Sequence, residues 1–134
     1  MRSGSRVLTA TLLGTWALWG FVAAPEAPAA EQPAACTANG TALQITAEHD
    51  RFDKDCMAVP PEQSFTIELD NKDLAIGHNV SIYDTANGKK ALYKGRIVYG
   101  PGSITYTVSA QAKGTYVFTC DPHTDRMRGT FIVS

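Results

Sequence analysis

Short runs of alternating apolar and polar residues fill the sequence after residue 40, and this pattern restricts the fold more than any other feature. In the run 64–70, Phe65, Ile67 and Leu69 alternate with polar residues, as in a strand with one buried face. No window carries the long apolar stripe of an amphipathic helix. The predicted strands are 41–47, 64–70, 78–84, 90–95, 103–110, 114–120 and 129–134. About six to eight short strands predict an all-β, antiparallel sandwich.

The first 29 residues have a different composition, that of a secretory signal peptide. Arg2 and Arg6 supply a positive start, and residues 7–24 then run without a charge. The segment that follows is rich in small residues, and 27–29 fits the A-x-A cleavage pattern. We therefore predict a signal peptide over 1–29. An uncleaved membrane anchor is the alternative, since eighteen apolar residues are about the lower limit for a span.

One domain over 41–134 remains after a Pro/Ala-rich linker at 30–40. The sequence holds 12 Lys and Arg against 13 Asp and Glu, with no basic stripe and no acidic tail. Such balanced charge does not favour binding to nucleic acid or to anionic lipid. We expect an exported monomer, periplasmic, cell-surface or secreted. It would contact a membrane only through an uncleaved anchor or a lipid.

Three cysteines in an exported chain leave one that no intramolecular disulfide can use. A Cys36–Cys56 bridge would close a loop of about twenty residues, stabilise the fold by about 3 kcal/mol, and leave Cys120 as a thiol for a metal. A Cys56–Cys120 bridge would instead indicate an immunoglobulin-like domain without metal. That fold expects a Trp between the two cysteines and a Tyr two residues before the second, and both are missing. Lipidation of Cys36 is a third alternative.

Three potential metal donors lie close together in 116-YVFTCDPHTDRMRG-129, namely Cys120, His123 and Met127. Thiolate and thioether are soft donors that suit copper(I), and imidazole binds copper in both oxidation states. Zinc rarely takes a thioether, and iron–sulfur clusters need several thiolates. Two histidines, one cysteine and a weak axial methionine are the donors of an electron-transfer copper site. The segment therefore predicts such a site, with one histidine still to be found.

The second histidine must come from another part of the chain. His78 begins a predicted strand and follows Gly77, whereas His49 lies in the charged segment 48-EHDRFDKD-55. We predict that His49 is a solvated surface residue. His78-Asn79-Val80 upstream, together with C-x-x-H-x-x-x-M and the strand after it, resembles the cupredoxin family of plastocyanin–azurin type. The resemblance covers roughly residues 41–134.

That resemblance implies a Greek-key sandwich with one type 1 (blue) copper site. It implies that Asn79 hydrogen-bonds the cysteine-containing loop, and that Gly77 permits close backbone approach. The implied copper ligands are His78, Cys120, His123 and Met127.

The resemblance also implies a one-electron carrier between transient redox protein partners, with copper cycling between Cu(II) and Cu(I). We do not expect an enzyme, because protein donors fill the strong copper positions. In the family the electron passes through the second histidine, here His123, within an apolar patch to which 74–77 would contribute. The rim of the loop that carries Cys120, His123 and Met127 is polar, so the resemblance does not identify the redox partner. An extracytoplasmic copper chaperone or buffer is the alternative function, although the predicted mature chain lacks methionine- or histidine-rich tracts.

Overall fold

A computed structural model describes residues 36–84 and 90–134, and within these ranges the chain is all-β. The predicted signal peptide at 1–29 and the linker up to residue 35 lie outside the described residues. In the described part, no helix is long and apolar enough to cross a membrane. The strands are β1 (Ala42–Glu48), β2 (Arg51–Phe52), β3 (Cys56–Val59), β4 (Phe65–Asn71), β5 (Gly77–His78), β6 (Ser81–Tyr83), β7 (Ala91–Tyr93), β8 (Val98–Tyr99), β9 (Gly102–Val108), β10 (Gly114–Thr119) and β11 (Arg128–Val133), with a 3-10 helix at Asp121–His123.

Two sheets pair these strands in the orders β2-β1-β4-β9 and β3-β11-β10-β6-β7, and β5 pairs with β8. The prediction of an antiparallel sandwich is wrong in one respect, because the pairs β1–β4 and β3–β11 are parallel. The reason lies in the connection between β1 and β4. The chain leaves the first sheet to form β3 in the second and returns as β4 in its original direction, as a parallel pair requires.

The predicted alternation is confirmed along β4. Phe65, Ile67 and Leu69 are at most 2% exposed, whereas Glu68 is exposed. The same two-residue period would bring one face of each long strand to the space between the sheets. Aromatic contact fills that space, with the rings of Phe65 and Phe131 stacked at 5.3 Å between centroids.

Other strands depart from the predicted boundaries. The run 78–84 is interrupted after His78, so that β5 pairs with β8 while β6 joins the second sheet. Strands β2 and β8 have only two residues each, too short for an alternating pattern. Strand β3, 56-CMAV-59, is largely buried and therefore shows a continuous apolar run rather than alternation.

The structure joins Cys36 to Cys56 in a disulfide, with 5.9 Å between their Cα atoms. This bond ties the first described residue to β3. Cys120 is buried and has a free thiol. The Cys56–Cys120 pairing of the immunoglobulin-like alternative is therefore wrong, and Cys36 Sγ is not free to carry a lipid.

Candidate metal centre

Residues 120–127, here called the ligand loop, connect the adjacent antiparallel strands β10 and β11. The last pair of the ladder is Thr119 with Arg128. Immediately beyond it, the Cys120 N–H donates to the Met127 carbonyl at 2.8 Å, and Thr119 Oγ1 donates to the same oxygen at 3.0 Å. Cys120 and Met127, both completely buried, are thereby held opposite each other at the base of the loop.

The 3-10 helix brings His123 back over Cys120. Pro122 occupies its first turn, where a fixed φ and a missing N–H cost little. The His123 N–H then donates to the Cys120 carbonyl at 3.0 Å. As a result, the His123 imidazole lies beside the thiol and remains 20% exposed.

Two imidazoles flank the Cys120 sulfur. His78 Nδ1 and His123 Nδ1 each lie 3.6 Å from Cys120 Sγ, and the three donor atoms lie within 4.8 Å of one another. Bonds of about 2.3 Å to sulfur and about 2.0 Å to nitrogen, at about 110–120° to each other, would place two such donors about 3.5–3.7 Å apart. The observed spacing therefore fits one metal ion shared by all three.

Burial raises the pKa of the Cys120 thiol, because a thiolate would lose its hydration in this site. Hydrogen bonding to its surroundings opposes this effect without cancelling it. The metal-free protein consequently keeps the sulfur protonated at neutral pH, and a bound cation must displace that proton.

Strand β5 positions His78, and the neighbouring strand β8 explains the glycine before it. A Cβ atom on Gly77 would lie 2.7 Å from Ile97 Cγ2 and 3.0 Å from Tyr99 Cε1. The close approach expected at Gly77 is thus a contact with the side chains of Ile97, just before β8, and of Tyr99, within β8. On its far side the His78 ring is fixed by Asp73, whose Oδ2 lies 2.9 Å from Nε2.

Asn79 links the His78 segment to the ligand loop. Its Oδ1 accepts the Asp121 N–H at 2.8 Å, and its Nδ2 donates to Asp121 Oδ2 at 2.8 Å and to the Gly95 carbonyl at 2.7 Å. These bonds fix the residue that follows Cys120. The donors His78 and Cys120 are thereby held in place relative to each other, because Asn79 follows the first and Asp121 follows the second.

Asp121 is a structural residue that the sequence prediction missed. Ser81 Oγ and Tyr83 Oη each donate to its carboxylate at 2.7 Å. Burial raises the pKa of Asp121, but the hydrogen bonds from Tyr83, Asn79 and Ser81 outweigh it, and the pKa lies below its ordinary value. Asp121 therefore attaches the ligand loop to β6. No sequence signal distinguishes it from a solvated aspartate.

The turn between β1 and β2 is the second feature that the sequence prediction missed. Its two residues, His49 and Asp50, both have positive φ, at 55° and 54°. Both N–H groups donate to Asp73, at 2.6 Å to Oδ1 and 3.0 Å to Oδ2. The bond from Asp50, together with that from His49, overcomes burial and lowers the pKa of Asp73 to about 2. His49 is exposed, as predicted.

A search against protein-family models gives a match to the cupredoxin-like domain over residues 11–133. The chain belongs to the cupredoxin family. Solved structures with the same fold include a dithionite-reduced auracyanin of Roseiflexus castenholzii, at 24% identity and TM-score 0.62, covering 73% of this chain and 99% of that one. Auracyanin A of Chloroflexus aurantiacus, described as a blue copper protein, matches at 21% identity and TM-score 0.63, over 72% and 100%.

Amicyanin of Paracoccus versutus also has this fold, at 22% identity and TM-score 0.50, covering 69% of this chain and 81% of that one. No curated protein sequence matches significantly. The similarity to these structures supports the fold alone. The description of the site rests on the side chains of this cupredoxin.

The donor set of this cupredoxin fits one type 1 copper ion. His78, Cys120, His123 and Met127 provide two imidazoles, a thiol and a thioether at one end of the sandwich, and three of the four are completely buried. A set that mixes soft sulfur with imidazole suits copper better than zinc, magnesium or calcium.

Exposed apolar side chains lie in and beside β5 and β8, and β5 packs against the 3-10 helix that carries His123. Leu74 and Tyr99 are 78% and 69% exposed, and Ile76 and Ile97 are also exposed. These four residues are called the apolar patch. Large exposed apolar groups that lie together indicate an interaction surface.

Proposed function

We propose that this cupredoxin is an exported one-electron carrier with a single type 1 copper site, serving transient redox protein partners. The observation that carries the proposal is the position of the Cys120 sulfur, buried and 3.6 Å from Nδ1 of two histidines drawn from distant parts of the chain. The blue copper protein auracyanin A shares this fold, which supports the assignment.

Copper supplies the one-electron couple when bound, and the protein's task is to hold the donors still. Hydrogen bonds within the protein fix three parts of the site: Asp73 holds the His78 ring, Asn79 holds the residue after Cys120, and the Cys120 N–H bonds to the Met127 carbonyl. Donors that need not move when the charge changes favour fast electron transfer. His78, Cys120 and Met127 are completely buried, so that water and a substrate would have poor access to a bound ion. These features support a carrier rather than an enzyme.

We assign electron exchange to the exposed edge of His123, beside the apolar patch. The patch carries no charge, so a partner can cover it without the energetic cost of burying a charged group. Such a surface suits a short-lived complex. Asp125 and Arg126 give the loop rim charges of both signs, and both side chains are exposed. Partner docking should therefore be weak and sensitive to salt.

Export is supported by the Cys36–Cys56 disulfide, because such bonds persist in oxidising compartments. The apolar segment at 7–24 agrees with secretion through a signal peptide.

The decisive experiment is the visible spectrum of the copper(II) protein, followed by voltammetry. We expect the intense band of thiolate-to-copper charge transfer and a reversible one-electron wave. Cys120→Ser should abolish the band while the protein stays folded by circular dichroism. Thr124→Ser, a conservative change at an exposed position of the same loop, should keep it. A band that survives in Cys120→Ser would refute the ligand assignment, and a blue protein without a reversible wave would favour a copper buffer or chaperone.

A further inference from the structure

The Asp50 carboxylate lies against the outer side of the metal site. Its Oδ1 is 3.9 Å from His78 Nε2 and 3.8 Å from His123 Nε2. This oxygen is buried, and it has no hydrogen-bond partner among the residues that the structure describes. The other oxygen, Oδ2, lies 4.0 Å from Arg126 Nη1. A negative group thus faces both imidazoles at once.

The backbone fixes this position. Residues with a side chain rarely adopt positive φ, yet His49 and Asp50 both do so in the turn between β1 and β2. Asp73 accepts both N–H groups and at the same time bonds His78 Nε2. One buried carboxylate therefore connects the turn to the first imidazole, and the turn places Asp50 beside the second.

The direction of the rings determines what Asp50 can do. Both histidines present Nδ1 to the Cys120 sulfur, so a metal bound there leaves the ring proton on Nε2. Each Nε2 then has a carboxylate near it. Asp73 takes the hydrogen bond from His78, whereas His123 has Asp50 beside it at 3.8 Å. Groups that contact metal-bound imidazoles from outside alter the electron donation of the ligand.

We propose that Asp50 is a positioning residue that stabilises the oxidised state of the site by acting on both imidazoles. The inference rests on the proposed function and names a residue that sets the reduction potential of the copper site. Oxidation adds one positive charge to the copper and its ligands. A nearby anion favours the more positive state, and the attraction is only partly screened because the Asp50 oxygen that faces the imidazoles is buried. Asp50 therefore lowers the reduction potential.

Asp50→Asn tests this proposal, because it removes the charge and keeps both the shape and a residue type that tolerates positive φ. We expect the preference for copper(II) over copper(I) to fall about tenfold, which corresponds to a rise in reduction potential of about 59 mV. Asp50→Gly, which also suits the turn, should give a similar rise. Asp125→Asn is the control, since it removes one exposed charge from the ligand loop. Its effect should be much smaller and should vanish at high salt.

A second measurement uses the metal-free protein. Nitrogen–proton correlation spectra report which ring nitrogen of His123 carries the proton. The wild type should favour the Nε2–H form that faces Asp50, and Asp50→Asn should move the population towards Nδ1–H. A merely structural role for Asp50 would leave this population unchanged.

Two outcomes would overturn the proposal: an unchanged potential in a blue Asp50→Asn protein, or equal shifts in Asp50→Asn and Asp125→Asn. Either leaves the carrier assignment intact. A wild-type protein that binds copper without the blue band would instead reject the proposed function itself.

Discussion

Asp121→Ala should destabilise the protein more than any other substitution at an exposed or half-exposed position of the ligand loop. The change removes the acceptor for Asn79 Nδ2, Ser81 Oγ and Tyr83 Oη, which lie 2.8, 2.7 and 2.7 Å away. A hydrogen bond to a charged group contributes about 1.5–3 kcal/mol. The three bonds share one half-buried carboxylate, and water can replace part of them. We therefore expect the free energy of unfolding to fall by about 3–5 kcal/mol.

Urea unfolding of the metal-free protein with its disulfide intact measures this loss, as a lower midpoint at an unchanged slope. Asp125→Ala removes the same functional group from an exposed position of the same loop and should change the free energy of unfolding by less than about 0.5 kcal/mol. Tyr83→Phe removes one of the three bonds and should cost about 1–2 kcal/mol. The reasoning fails if Asp121→Ala is no less stable than Asp125→Ala.

Three further predictions concern the axial donor, the disulfide and a buried tyrosine. Met127→Leu should keep copper but raise the reduction potential, and an unchanged potential in voltammetry would show that Met127 is not axial. Cys36→Ser with Cys56→Ser should lower the free energy of unfolding by about 3 kcal/mol, since the bridge spans 20 residues, and the denatured, metal-free wild type should show one free thiol rather than three. The hydrogen bond to Asp121, together with burial, raises the pKa of Tyr83 from 10.0 to about 12. Its stabilising contribution is therefore complete below pH 10 and is lost as the pH rises through about 12. Tyrosinate absorbance should contain a late-titrating component that Tyr83→Phe reduces by one tyrosine, while Tyr106, whose pKa burial also raises, still contributes to it.

The sequence predicted those parts of the molecule that depend on the local pattern of residue types. Alternation located β4 to within one residue, because one face of that strand is buried and the other is not. The donor spacing located the ligand loop, because Cys120 and Met127 flank a short connection between adjacent strands. The parallel pairing of β3 with β11 was missed, since a short run buried over most of its length gives no alternation to read.

The outer side of the site was missed for a different reason. Asp50 lies beside the imidazoles because a two-residue turn adopts positive φ at both positions, and Asp73 accepts the N–H groups of that turn. His49-Asp50 is not a residue pair that usually indicates such a turn, and strand β2 is too short to reveal a hairpin. The segment 48–55 therefore looked like a solvated charged stretch. Its role depends on contacts between residues more than twenty positions apart.

The ends of the ligand loop are fixed by the β10–β11 ladder and by the Cys120 N–H bond to Met127, not by the ion that the loop receives. Residues between these ends other than Asp121, whose carboxylate attaches the loop to β6, can be replaced while the register of the core stays the same. The reach and orientation of the second histidine can therefore vary without altering the ladder that closes the loop. A loop transplanted into this domain would therefore have to keep a hydrogen-bond acceptor at the position of Asp121.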